Sequence, residues 1–113
     1  MPVLNFMFPI VPGKEGAARA WIAEVAGARR EGWDAMQRRG DLTRETFTIQ
    51  ETPMGSFLLV WVEGDIGKAM SDVATAEDEF TSWHRDRLKE ITGVDITQPS
   101  DAPPPELLFD WRA

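Results

Sequence analysis

The run Ser56–Glu63, Ser-Phe-Leu-Leu-Val-Trp-Val-Glu, constrains the fold more than any other stretch of the chain. It is β-branched and aromatic in character, and far too short to span a bilayer. As a strand it places Phe57, Leu59 and Trp61 on one face and Leu58, Val60 and Val62 on the other. Both faces are apolar, so both demand cover, and a central strand meets that demand. The alternation alone does not say which face points to the core.

The neighbouring segments supply partners. Val3–Ile10 reads as a strand with Leu4, Phe6, Phe8 and Ile10 on one face and Asn5 as the polar exception on the other. Pro9 has no N–H and belongs at its end. After the turn Pro12-Gly13-Lys14, the recurrence of Ala18, Trp21, Ile22, Val25, Ala28, Trp33 and Met36 predicts one long helix over Glu15–Arg39, stopped by Gly40. Gly27 and Gly32 within it each cost about 1 kcal/mol relative to Ala, a cost either tolerated or offset by close packing.

Leu42–Thr52 reads as a second strand. Glu45, Phe47, Ile49 and Glu51 share one face; Arg44, Thr46, Thr48 and Gln50 share the other. Pro53-Met54-Gly55 turns it into the central strand as a hairpin. Asp65 is placed to cap a short helix carrying Ile66, Ala69, Met70 and Val73. A further helix over 76–91 carries the stripe Phe80, Trp83, Arg87 or Leu88, and Ile91, and Gly93 ends it. A Pro-rich loop over 94–105 leads to an expected last strand, Glu106–Trp111.

This order is β-α-β-β-α-β, the ferredoxin-like arrangement. The expectation is one α+β domain over residues 1–113, with a four-stranded antiparallel sheet of order 4-1-3-2 and helices on one face. The other sheet face would then expose large apolar side chains, each contributing about 1.5–3 kcal/mol when buried. Such a patch marks an interface. A homodimer whose two sheets close a barrel is the simplest cover; the Pro-rich loop folding over a monomer is the alternative.

Composition narrows the chemistry. A net charge of −7 disfavours nucleic acid and anionic membrane as partners. The absence of cysteine removes disulfides, thiolate zinc sites and iron–sulfur clusters, and a single histidine removes a multi-histidine metal site. No metal or cofactor is expected. There is no phosphate loop, serine elbow or zinc signature. The N-terminal residues show no secretory leader pattern, which makes a cytoplasmic location the default.

Ala28-Arg29-Arg30-Glu31, Glu45-Thr46-Phe47, Trp83-His84-Arg85 and Glu106-Leu107-Leu108-Phe109-Asp110 together resemble the dimeric α+β barrel superfamily. That superfamily includes antibiotic-biosynthesis-type monooxygenases, and the closest likeness is to an uncharacterised small bacterial family within it. The resemblance implies the same dimeric barrel. Haem-degrading members place an Asn on strand one and a Trp and a His on helix two. Asn5 and His84 sit on the corresponding elements, but Trp83 directly precedes His84 and projects about 100° away around the helix, so that pattern is not reproduced.

His84 is the candidate catalytic residue. It reads either as a general base or haem ligand at the barrel mouth, or as a structural histidine hydrogen-bonded to a carbonyl or carboxylate. A carboxylate within reach would favour acid–base work. Arg29 reads as an anchor for a substrate carboxylate or as half of an intrachain ion pair. Asn5, Trp61 and Trp83 complete the candidate ligand-binding set, with Thr46, Thr48 and Gln50 either lining a barrel interior or facing solvent. The leading expectation is a small homodimeric barrel that binds a small organic molecule. The alternatives are a cofactor-independent monooxygenase or isomerase-type enzyme using His84, and an interaction protein with a filled barrel.

Overall fold

The computed structural model, described over residues 2–113, orders its elements as β1 (Val3–Pro9), α1 (Glu15–Ala26), α2 (Arg30–Arg39), β2 (Leu42–Thr52), β3 (Gly55–Gly64), α3 (Ile66–Thr75) and α4 (Glu79–Thr92). The three strands form one antiparallel sheet of order β1-β3-β2. β3 is therefore the central strand, as its two apolar faces require. Val60 lies opposite Phe6 on one side and Phe47 on the other; Trp61 lies opposite Asn5 and Thr46.

The register settles which face is inward. Leu58, Val60 and Val62 are buried in one cluster with Trp21, Val25, Met36, Phe80, Leu88 and Ile91. The helices thus cover that face. Phe57, Leu59 and Trp61 occupy the outer face, in register with Asn5, Met7, Thr46 and Thr48.

The expected four-stranded sheet of order 4-1-3-2 is not formed, and the sheet is not closed into a barrel. Glu106–Trp111 forms no strand, and Leu107, Leu108, Phe109 and Trp111 remain exposed. Pro103, Pro104 and Pro105 offer no N–H for a ladder and favour a polyproline extension. Ile96 is the last hydrophobic residue along the described chain that packs against the core cluster. The ferredoxin-like, dimeric α+β barrel reading is thereby replaced by an open, three-stranded α+β sheet. The outer face is also less exposed than a barrel interface would require. Phe57 and Leu59 are half-buried among their own strand neighbours, and Trp61 donates its indole N–H to Glu63 at 2.9 Å.

The expected long helix is two helices. Gly27, at φ −120° and ψ −101°, breaks the ladder, and the Arg29 N–H turns back to the Glu24 carbonyl at 2.7 Å. The bend brings Trp21 of α1 and Trp33 of α2 edge-on to the same ring, Phe47, each at 5.6 Å. α3 and α4 begin on side-chain caps. Asp65 accepts from Lys68 N–H and Asp78 from Thr81 N–H. Arg39 at the end of α2 ties both together, reaching Asp72 at 3.2 Å, Asp78 at 3.2 Å and the Thr81 hydroxyl at 2.9 Å. Among the described residues no helix is long and apolar enough to cross a membrane.

Gly32 permits the close approach of α2 to α4: a Cβ there would lie 2.5 Å from Phe80 Cδ1. Gly16 on α1 faces open space, with nothing within 4 Å. Helix propensity favours alanine at both sites by up to about 1 kcal/mol, but overpacking costs about 1–3 kcal/mol. Gly32→Ala is expected to lower the thermal midpoint, whereas Gly16→Ala leaves it level or raises it. Equal midpoints for the two variants in a melting experiment would contradict the α2–α4 contact.

Candidate functional site

Between the inner sheet face and the helices lies a half-open cavity of about 80 Å³. Phe6, Phe8, Phe47, Val60 and Val62 on the strands and Ile66, Met70 and Val73 on α3 are among the residues that line it. The walls are almost wholly apolar. Two titratable side chains line it, Glu45 from β2 and His84 from α4.

His84 reaches the cavity because of the spacing on α4. Phe80, His84, Leu88 and Ile91 recur at intervals of a helical turn and all are buried. The stripe runs through His84, leaving Trp83 and Arg87 at its margins. Three aromatic rings enclose the imidazole: Trp21 at 5.3 Å, Trp33 at 5.5 Å and Phe80 stacked at 6.0 Å. Its Nδ1 is buried with no protein hydrogen-bond partner, as is the indole nitrogen of neighbouring Trp21. Burial, helped by the nearby Arg85 charge, pushes the imidazole pKa down to about 4. At neutral pH the ring is uncharged.

Glu45 arrives from the opposite wall. It pairs with Val62 in the β2–β3 register and so shares the inward face with Phe47 and Ile49. Gln37 of α2 donates to its Oε1 at 2.8 Å. The second oxygen has no protein partner among the described residues. Burial pushes the carboxyl up to about 7, with the Gln37 hydrogen bond opposing in part. The site therefore joins a neutral imidazole to a carboxyl that is half ionised near neutrality.

The candidate residues fall in three separate places. His84 alone lines the cavity. Asn5 and Trp61 lie on the outer sheet face, where with Arg44, Thr46, Thr48 and Leu59 they border a shallow depression. Arg29 and Trp83 lie together outside the cavity: the guanidinium sits 4.2 Å over the indole ring and makes two 2.9 Å bonds to the Glu79 carboxylate. No one small ligand contacts all five. Glu45 and Gln37 were not among the residues expected to act. The signal for Glu45 was its position on the strand face that also carries Phe47 and Ile49.

Comparison with known protein families, with curated proteins and with solved structures finds no match to this chain. The resemblance to the dimeric α+β barrel superfamily is thus without support from any family model, and the open sheet contradicts it.

The two shifted groups act on stability with opposite sign. The unfolded imidazole binds a proton below 6.5 that the folded one refuses until about 4. That contribution is complete above pH 6.5 and is lost on acidification. The folded Glu45 carboxyl holds a proton between 4.5 and about 7 that the unfolded one has released, so acidification through that window adds stability. Each slope reaches at most about 1.4 kcal/mol per pH unit, and in the wild type they largely cancel. In urea unfolding at pH 7 and pH 5, His84→Gln should be more stable at the lower pH and Glu45→Gln less stable. Parallel pH trends in the two variants would refute the assignment.

Proposed function

We propose that this domain binds a small, uncharged, largely apolar organic molecule in the cavity between β2, β3, α3 and α4. The observation that carries the reading is the pairing of an unpartnered, buried imidazole with a partly buried carboxyl on one otherwise apolar cavity wall. Apolar pockets with a few polar groups suit small organic ligands. An ionised ligand would be disfavoured, because the same burial that neutralises His84 opposes any unpaired charge.

Size sets the class. A cavity of about 150 Å³ takes benzene, and this one is about 80 Å³, so the resting space accepts only a few heavy atoms. Met36 and Met70, unbranched and able to change rotamer, line it and give it room to widen. Met70 lines the cavity and is exposed, and we propose the α3 side as the entry route and mouth. An isomerase-type activity using His84 is compatible with such a site. A filled-core interaction protein is less favoured, because an apolar residue at position 84 or 45 would serve packing better.

Titration with cyclopentanone, followed by methyl NMR, tests the proposal. Shifts should cluster on Val60, Val62, Ile66 and Val73, and Val73→Phe should weaken binding at least tenfold by filling the mouth. Shifts confined to the Asn5–Trp61 face, or none at all, would overturn it.

A further inference from the structure

We infer that Glu45 and His84 form a proton-transfer pair acting on a small carbonyl compound, with Glu45 as the general base and neutral His84 as the hydrogen-bond donor to the carbonyl oxygen. This rests on the binding reading above and adds a reaction to it.

The geometry assigns the roles. Glu45 comes from β2 and His84 from α4, and both line one cavity, so a molecule that fills it meets both. Gln37 engages only Oε1 of Glu45, which orients the carboxylate and leaves Oε2 for the substrate. His84 has its ring locked among Trp21, Trp33 and Phe80. An uncharged imidazole retains one N–H, and with Nδ1 buried and without an acceptor the tautomer that carries the proton on Nε2 is favoured. A base works best when its pKa lies near the working pH, which the carboxyl at about 7 satisfies and the imidazole at about 4 does not.

The step balances without a co-reactant. Glu45 Oε2 takes the proton from the carbon next to the carbonyl. The C–H electron pair becomes the C=C bond of the enolate, and the carbonyl π pair moves onto oxygen, whose negative charge accepts a hydrogen bond from the His84 N–H. The Glu45 carboxyl exchanges the proton it has taken with solvent, then delivers a proton to the same carbon, or passes the abstracted one to a conjugated carbon, and the carbonyl re-forms. Exchange of the α-proton or migration of a double bond is the result.

Other charged groups near the cavity are engaged elsewhere. Arg85 donates to the Val73 and Ala76 carbonyls, and Arg39 pairs with Asp72 and Asp78. Lys68 pairs with Asp41, and Arg44 lies 3.7 Å from Glu63, the two residues standing opposite each other in the strand register. Among the described residues, Glu45 and His84 are the only titratable groups that line the cavity.

The test is α-proton exchange of cyclopentanone in D₂O, followed by ¹H NMR, with full-length protein in parallel with the binding titration. Protein-dependent exchange should exceed the buffer rate and rise with pH through a midpoint near 7. Glu45→Gln, close to isosteric, should lower it at least about 100-fold while still binding the ketone. His84→Phe, which keeps a packed ring without the N–H, should lower it about 100-fold or more. Cyclopentanone that binds in the cavity without faster exchange would overturn the proton-transfer pair and leave the binding reading intact. Exchange undiminished in Glu45→Gln would overturn it as well. Failure to bind would remove both.

Discussion

Everything in the domain depends on the burial of one face of β3. Leu58, Val60 and Val62 pack beneath the helices, and hydrogen bonding to β1 and β2 fixes their partners. Because side chains alternate strictly, that single choice also orients both neighbours. Phe6 and Phe8 turn inward on β1, and Glu45, Phe47 and Ile49 turn inward on β2. A one-residue slip of β2 against β3 would carry Glu45 to the outer face and bring Thr46 in. The position of the carboxyl is thus a consequence of the same register that builds the core.

The helical layer is held by different means. Arg39 joins α2 to α3 and α4 through charge-assisted hydrogen bonds, and Gly32 and Gly40 let α2 approach Phe80 and Ala69 more closely than a Cβ would allow. These contacts place His84 over the sheet and α3 along the cavity. A buried polar atom without a partner costs about 1–3 kcal/mol, a large share of the roughly 5–15 kcal/mol that stabilises a domain. Nδ1 of His84 and the indole nitrogen of Trp21 both carry that cost beside the cavity. Packing alone would be better served by apolar replacements of the same shape.

The legible parts of the fold were those with local causes. Period-two alternation marked β1, β2 and β3; Asp65 marked the start of α3; Gly93, at φ 76°, marked the end of α4. The illegible parts depend on contacts distant in sequence. Leu107, Phe109 and Trp111 alternate as well as any strand, but pairing with β1 has no local signature, and the prolines before them carry the chain away. Gly27 was visible as a weak point, yet a cost near 1 kcal/mol does not by itself break a helix; the break follows from packing Trp21 and Trp33 onto one phenyl ring. His84 was legible as a candidate from its rarity; Glu45 was not expected to act, although its place on an apolar strand face was visible. Their meeting required the register.

The opposite shifts of these two groups have one cause. Desolvation penalises whichever form carries charge, so an apolar cavity makes a carboxyl a weaker acid and an imidazole a weaker base at once. The pair does not become an ion pair: the carboxyl at about 7 and the imidazole at about 4 leave no pH at which both are mainly charged. Below pH 4 the carboxyl is protonated, and above pH 7 the imidazole is neutral. Between those limits both are mainly uncharged, and toward pH 7 the carboxyl releases its proton beside an imidazole that stays neutral. That state follows from the low polarity of the walls, and the sheet register and the α4 stripe together bring the two groups to the same walls.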